Sequence, residues 1–184
     1  MTPCLRSPEE KDAEAMIDYV RKTSEETHFL IRYPEEIDFS LEREKQIIDG
    51  NLNAKDAAWF TVFDGDMVVG NCSISQHADR IKVRHRCNLA IAIVQTYCGL
   101  GLGTRLITRA CDKARELGYE QIELGVYADN DRAIALYKKM GFHECGRTPN
   151  AFKLKDGSYI DELTMVRLLS LSENEYGNCG RKSD

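Results

Sequence analysis

Near the middle of the chain three glycines alternate with leucines: Tyr97-Cys98-Gly99-Leu100-Gly101-Leu102-Gly103-Thr104-Arg105. A tight turn needs one glycine or two. Three in alternation strip side chains from a stretch that something must approach closely. A strand-like run precedes the stretch and a helix-like pattern follows it. The first N–H groups of a helix have no partner inside it, and the helix dipole favours negative charge at that end. A strand, a glycine turn and a helix in that order therefore suit a phosphate or pyrophosphate. Two phosphate patterns fail. Thr104-Arg105 stands where a Walker A loop needs Gly-Lys. The spacing Gly99, Gly101, Gly103 is G-x-G-x-G, and it follows a hairpin rather than opening a first βαβ unit, so it is not the dinucleotide fingerprint.

Other residues offer proton chemistry. Tyr137 stands one helical turn past Ala133, in a helix that Asn130 is placed to cap. Glu123 shares a strand face with Gln121 and Gly125 and could take a proton through water; it is the candidate general base. Asp161 and Glu162 fall on opposite faces of a late strand, so at most one looks into any cleft. Asn88 is a possible polar contact but not a base. The run Glu35-Glu36-Ile37-Asp38 reads as a solvated acidic loop that could also attract a cationic amine. Seven cysteines stand at 4, 72, 87, 98, 111, 145 and 179, with no CxxC pair and no zinc-like spacing. They read as free thiols of a reducing compartment, and no metal site is expected.

The positioning elements follow from periodicity. A short strand at 2–6 leads to Ser7-Pro8-Glu9-Glu10, a capping-box start for a first helix. Polar residues from Arg21 to Asp38 interrupt that pattern, and Ser40 caps a second helix running to about Gly50. Strands at 58–63 and 67–75 flank the turn Asp64-Gly65-Asp66, and a further strand spans 87–94. In that strand Cys87, Leu89, Ile91 and Ile93 are bulky, whereas Asn88, Ala90, Ala92 and Val94 present a smaller face with room for a ligand. Beyond the glycines Leu106, Ile107, Ala110, Ala114 and Leu117 mark one face of a helix that Gly118 ends. A strand at 121–127, a helix from Asn130 to Gly141 and strands at 142–147 and 159–169 complete the order. The result is a mixed α/β sheet with helices on both faces.

The chain has 184 residues, enough for one domain with its own core. Its formal net charge of −5 argues against a general nucleic-acid binder. No apolar run approaches the ~20 residues of a membrane span. The first residues, MTPCLRSPEEKDAE, lack the apolar core of a signal peptide, so a cytoplasmic location is expected. The domain is expected over 1–169, with a polar tail at 170–184.

The glycine stretch, read from Ile93 to Gly103, resembles the acyl-CoA pyrophosphate loop of the GNAT superfamily of N-acetyltransferases. Asn130-Asp131-Arg132-Ala133-Ile134-Ala135-Leu136-Tyr137-Lys138-Lys139-Met140-Gly141-Phe142 is similar throughout to that family's N-x-x-A-x-x-L-Y-x-x-x-G-F segment. Gly157 to Met165 matches a closing G-x-Y-x-D-E-x-x-M. One departure is plain: Cys98 replaces the usual Arg or Gln, and Leu100 replaces a frequent Lys or Arg. A loop that works through backbone amides tolerates this. Arg105, Arg109, Lys138 and Lys139 are candidates to restore charge.

The resemblance implies a single-domain, mostly antiparallel mixed sheet, splayed between the fourth and fifth strands. It implies acetyl transfer from acetyl-CoA, as co-substrate, to a primary amine of a small molecule or of a peptide or protein N-terminus. It places the cofactor against Ala92, Ile93, Val94, Cys98, Gly99, Leu100, Gly101, Leu102, Gly103, Thr104, Asn130, Ala133 and Tyr137. Tyr137 would protonate the leaving thiolate. The expected partners are acetyl-CoA and an amine, with no nucleic acid and no membrane, in a monomer or homodimer. The competing readings are a non-catalytic acyl-CoA-binding sensor or partner module on the same fold and, more weakly, a nucleotide-binding protein.

Overall fold

A computed structural model describes residues 3–169. The tail expected at 170–184 lies outside the described residues. Seven strands form one sheet in the order β1-β2-β3-β4-β5-β7-β6. They are β1 Cys4–Arg6, β2 Ala57–Asp64, β3 Met67–Gln76, β4 Arg86–Ile93, β5 Gln121–Tyr127, β6 His143–Lys153 and β7 Tyr159–Leu168. The helices are α1 Ala13–Glu26, α2 Leu41–Asn53, α3 Leu102–Glu116 and α4 Asp131–Lys139. Every strand pair is antiparallel except β4 with β5.

That parallel pair is short. It holds only at Arg86↔Gln121, Cys87↔Ile122 and Asn88↔Glu123. Past those residues β4 stays with β3 as far as Ile93, while β5 stays with β7 as far as Tyr127. The sheet therefore opens between its fourth and fifth strands, as the resemblance implied.

Helices cover both faces. On one, Leu106, Ile107, Ala110 and Ala114 of α3 are sealed with Ile122, Leu124 and Val126 of β5 and with Ile134 and Tyr137 of α4. Burying Leu106 and Ile107 fully contributes about 2 kcal/mol each. On the other face Ala13, Met16 and Tyr19 of α1 and Ile48 of α2 pack with Phe63, Val68 and Val94. The alternation read along β4 holds: Leu89, Ile91 and Ile93 join the α3 side, and Ala92 the α1 side.

Three boundaries differ from the sequence reading. Ser7 does not cap the first helix, because its hydroxyl donates to the Trp59 carbonyl at 3.1 Å. The chain makes a single 3-10 turn, Glu10–Asp12, before α1 begins. Asp12 holds that turn by accepting from the Glu9 N–H at 2.7 Å and pairing with Arg6. The helix also continues through the polar stretch to Glu26, with Thr23 and Ser24 buried; the Thr23 hydroxyl donates to the Tyr19 carbonyl at 2.8 Å, so this polar side chain satisfies itself inside the helix. Finally, β6 extends to Lys153 rather than ending near Arg147. It does so across two irregularities in its pairing with β7, the second spanning Pro149 and Asn150. Proline lacks the N–H of a regular ladder, and Asn150 has φ 53°.

Candidate functional site

The mouth of the opening is lined by the glycine loop. Gly99 and Gly101 have φ of 84° and 80°, the left-handed region that side chains resist. Gly101 is the residue before α3, and its carbonyl accepts the first helical bond, from the Arg105 N–H at 3.1 Å. The N–H groups of Gly99, Leu100, Gly101, Leu102, Gly103 and Thr104 donate to no described residue. Consecutive free amides at the positive end of a fifteen-residue helix suit a negatively charged group. The side chains divide differently. Leu100 is 67% exposed, whereas Leu102 is buried in the core. Gly103 is not bare for a ligand: a Cβ there would meet Leu136 Cδ2 at 2.6 Å. Its missing side chain lets α3 approach α4.

The charge near this loop comes from a residue that sequence reasoning passed over. Arg132, in the first turn of α4, brings Nη2 to 3.9 Å from the position a Gly99 Cβ would take. It makes no ion pair with a described residue. The signal was present, since Arg132 fills a variable position of the Asn130 segment on the turn nearest the loop. The four nominated cations are placed less well. Arg109 pairs with Glu116 at 3.8 Å and covers the Phe60 ring. Lys138 and Lys139 occupy the last turn of α4, the end away from Arg132. Arg105 is exposed on α3. Cys98 is half-buried, with Sγ 3.6 Å from the Ile93 carbonyl, and burial pushes its thiol up. Tyr97 ties the loop to the β2–β3 hairpin through its hydroxyl, 2.7 Å from Asp64 Oδ2.

The strand residues separate by hydrogen bonding. Val94 spends both backbone groups: its N–H donates to Val69 at 3.0 Å and its carbonyl accepts from Tyr97 at 2.9 Å. It is therefore not the main-chain contact that was expected. The Ala92 carbonyl accepts from the Tyr19 hydroxyl at 2.8 Å. Because an antiparallel ladder alternates, the bond of Val94 to β3 turns the groups of Ile93 the other way, into the opening. Of the three, Ile93 is the one whose main-chain groups face the opening. Asn130 caps α4, with Oδ1 3.1 Å from the Ala133 N–H, so the Ala133 amide is also occupied.

Tyr137 lies under α4 against Phe142, with ring centroids 5.9 Å apart. It is 7% exposed, and burial raises its hydroxyl above the ordinary phenol range. That hydroxyl has no hydrogen bond to a described residue, yet it is not sealed from solvent. It is a protonated donor at an aqueous edge.

Glu123 is differently employed. It is the β5 partner of Asn88, at the closed end of the opening. Arg86 grips it in a bidentate pair, with Nη2 2.6 Å from Oε2, and Gln121 Nε2 donates at 2.8 Å. The Arg86 hydrogen bond holds the carboxyl below its ordinary value. A carboxylate so occupied is a clamp between β4 and β5, which corrects its nomination as a base. Asp161 and Glu162 do lie on opposite faces. Asp161 pairs with Arg147 at 2.7 Å and accepts from the Asn150 N–H at 2.9 Å.

No described helix is long and apolar enough to cross a membrane. Among the described residues no cluster of His, Cys, Asp or Glu could hold a metal ion. The described cysteines are free thiols.

The model of the acetyltransferase (GNAT) family matches residues 13–142. The L-amino acid N-acetyltransferase AaaT of Escherichia coli is 32% identical over 106 residues, covering 57% of this chain and 64% of AaaT. Across the first curated relatives the matched stretch spans from 29% to 64% of their own lengths. Among solved structures, an acetyltransferase of the GNAT family from Streptococcus pneumoniae has a TM-score of 0.85 at 26% identity, over 90% of this chain and 99% of that one. The fold is shared too with yncA of Salmonella typhimurium, solved with its cofactor acetyl-CoA, at TM-score 0.80 and 17% identity over 94% of this chain and 96% of that one.

Proposed function

The chain belongs to the acetyltransferase (GNAT) family, and on that premise we propose that it transfers the acetyl group of acetyl-CoA to a primary amine. The observation that carries this is the run of free amides from Gly99 to Thr104 just past a strand, β4, that parts from β5. Acetyl-CoA supplies an activated thioester. The loop amides and Arg132 hold its pyrophosphate, and Ile93 receives the pantetheine arm as an added strand would be received. The Ile93 N–H faces the carbonyl oxygen as negative charge develops. Tyr137 gives its proton to the departing sulfur; burial keeps that proton in place until the C–S bond breaks. The acceptor enters from the opposite face, beneath the α1–α2 connection. The free thiols fit a cytoplasmic setting.

The test is a pair of measurements on the full chain. Acetyl-CoA at about 100 times its Kd raises stability by about 2.7 kcal/mol, read as an increase in Tm. Thiol release is then followed with a panel of primary amines and peptide N-termini. No shift with millimolar acetyl-CoA overturns the proposal. A shift without thiol release for any acceptor favours the non-catalytic acyl-CoA-binding module.

A further inference from the structure

We propose that Glu162 is the carboxylate that binds the acceptor ammonium and takes its proton, and that the acceptor carries an aromatic or apolar arm. This rests on the acetyl-transfer reading of the same site.

The placement begins with register. Glu162 of β7 is directly opposite Tyr127 of β5, and directly paired residues share a face. Ile122, Leu124 and Val126 point into the core beneath α3 and α4, so Gly125, Tyr127 and Glu162 face the other way. Asn88 is level with Glu123 in the last β4–β5 pair. Counting equally along both parallel strands puts Tyr127 level with Ala92 and Ala128 level with Ile93. Glu162 is thus on the far wall of the opening, across from the strand segment that receives the thioester.

The backbone is shaped for that carboxylate. A Cβ on Gly125 would meet Glu162 Cδ at 3.0 Å and stand closer still to its Oε1. The side chain of Glu162 lies where any other residue at 125 would put its own. Glu162 is half-buried, and its carboxylate has no hydrogen bond or ion pair with a described residue. Two neighbouring carboxylates are already engaged: Asp129 Oδ2 lies 3.1 Å from His28 Nε2, and Glu35 pairs with Lys155. An unmatched carboxylate, half withdrawn from water, is a seat for an ammonium ion.

The walls beside it are aromatic. Tyr127 stacks on Phe152 with centroids 3.7 Å apart and meets Phe29 edge-on at 6.0 Å. Such rings take an apolar arm and attract the cation through their faces. In the reaction the ammonium first passes a proton to the Glu162 carboxylate, which later releases it to solvent. The freed lone pair then forms the C–N bond as the carbonyl π electrons move onto oxygen, and the nitrogen gives up its second proton to solvent. The carbonyl re-forms as the C–S bond breaks with its electrons leaving on sulfur, Tyr137 protonates that sulfur, and the phenol regains its proton from solvent.

The experiment compares acetylation of 2-phenylethylamine and of ethylamine by the wild type, Glu162→Gln, Glu162→Asp and Asp161→Asn, with the acetyl-CoA Tm shift measured for each. Wild type is expected to favour 2-phenylethylamine at least about tenfold in kcat/KM. Glu162→Gln loses about 100-fold or more while its acetyl-CoA shift is unchanged, and Glu162→Asp recovers part of the loss. Asp161→Asn, with its neighbouring carboxylate on the other face, stays within about threefold. The inference falls if Glu162→Gln stays within about threefold of wild type. It also falls if a wild type stabilised by acetyl-CoA acetylates neither amine or prefers ethylamine. Loss of the acetyl-CoA shift in the wild type counts instead against acetyl transfer itself.

Discussion

Tyr137 and Arg132 both sit on α4, one turn and a half apart, and the proposed reaction gives them separable tasks. Tyr137 is a buried donor whose proton is retained well above neutral pH, because burial raises its phenol. Arg132 is an exposed cation beside Gly99. Replacing Tyr137 with Phe removes the proton but little shape, so kcat falls by about 100-fold with acetyl-CoA affinity retained. Replacing Arg132 with Ala removes charge at the pyrophosphate and weakens acetyl-CoA by about tenfold, or 1.4 kcal/mol, with little change in kcat. Calorimetric binding and steady-state rates, measured on both variants, read the two effects apart. If both variants lost binding alone, Tyr137 would have no acid role. At this scale the sequence was informative in kind rather than in partner. The Tyr137 position was legible from its segment. The Arg132 contribution was not, because it depends on how closely α4 approaches the loop.

The glycine loop is one element made from two different requirements. Gly99 and Gly101 supply positive φ, whereas Gly103 supplies clearance for Leu136. Alternation in the sequence suggested a single purpose, and only helix–helix packing revealed the second. Gly101→Ala isolates the backbone term, since no heavy atom lies near the added Cβ. It is expected to cost about 1–2 kcal/mol of stability through the left-handed conformation alone, measured by urea unfolding. A loop that relaxes out of that conformation also misaims its amides, so acetyl-CoA affinity falls in parallel. The same lesson holds for β4. Its two faces were readable from side-chain size. Which backbone groups faced the opening was set by pairing to β3, and that left Ile93 rather than Val94.

Across the whole molecule, the sheet behaves as two halves joined at one end. Arg86 and Glu123 bridge β4 and β5 just where their pairing stops. The carboxyl is largely buried, so Glu123→Gln is expected to cost about 1–3 kcal/mol, at the lower side of a buried pair because Arg86 is partly exposed. The sign with pH follows from the depressed carboxyl. The folded value lies below the ordinary carboxyl value of 4.5, so the stabilisation is complete above about pH 4.5 and is lost as pH falls through the folded value. Unfolding curves of wild type and variant should stay a constant distance apart at neutral pH and converge in acid. A gap that persisted undiminished to the lowest pH would remove the ionic account.

The sequence by itself determined the element order, the apolar faces of α3 and β4, and the glycine turn before a helix. These are local: periodicity and backbone freedom act within a few residues. It misplaced the start of α1, because Ser7 is claimed by Trp59, far along the chain. It misassigned Glu123, because a carboxylate on the correct face can be a base or half of an ion pair, and its neighbour decides which. Arg86 and Glu123 are separated by α3 in sequence and meet only when β4 and β5 pair. Glu162 over Gly125 has the same origin. Tertiary structure alone decides which charges are matched and which remain free to meet a substrate, because electrostatic partnership depends on distance in space.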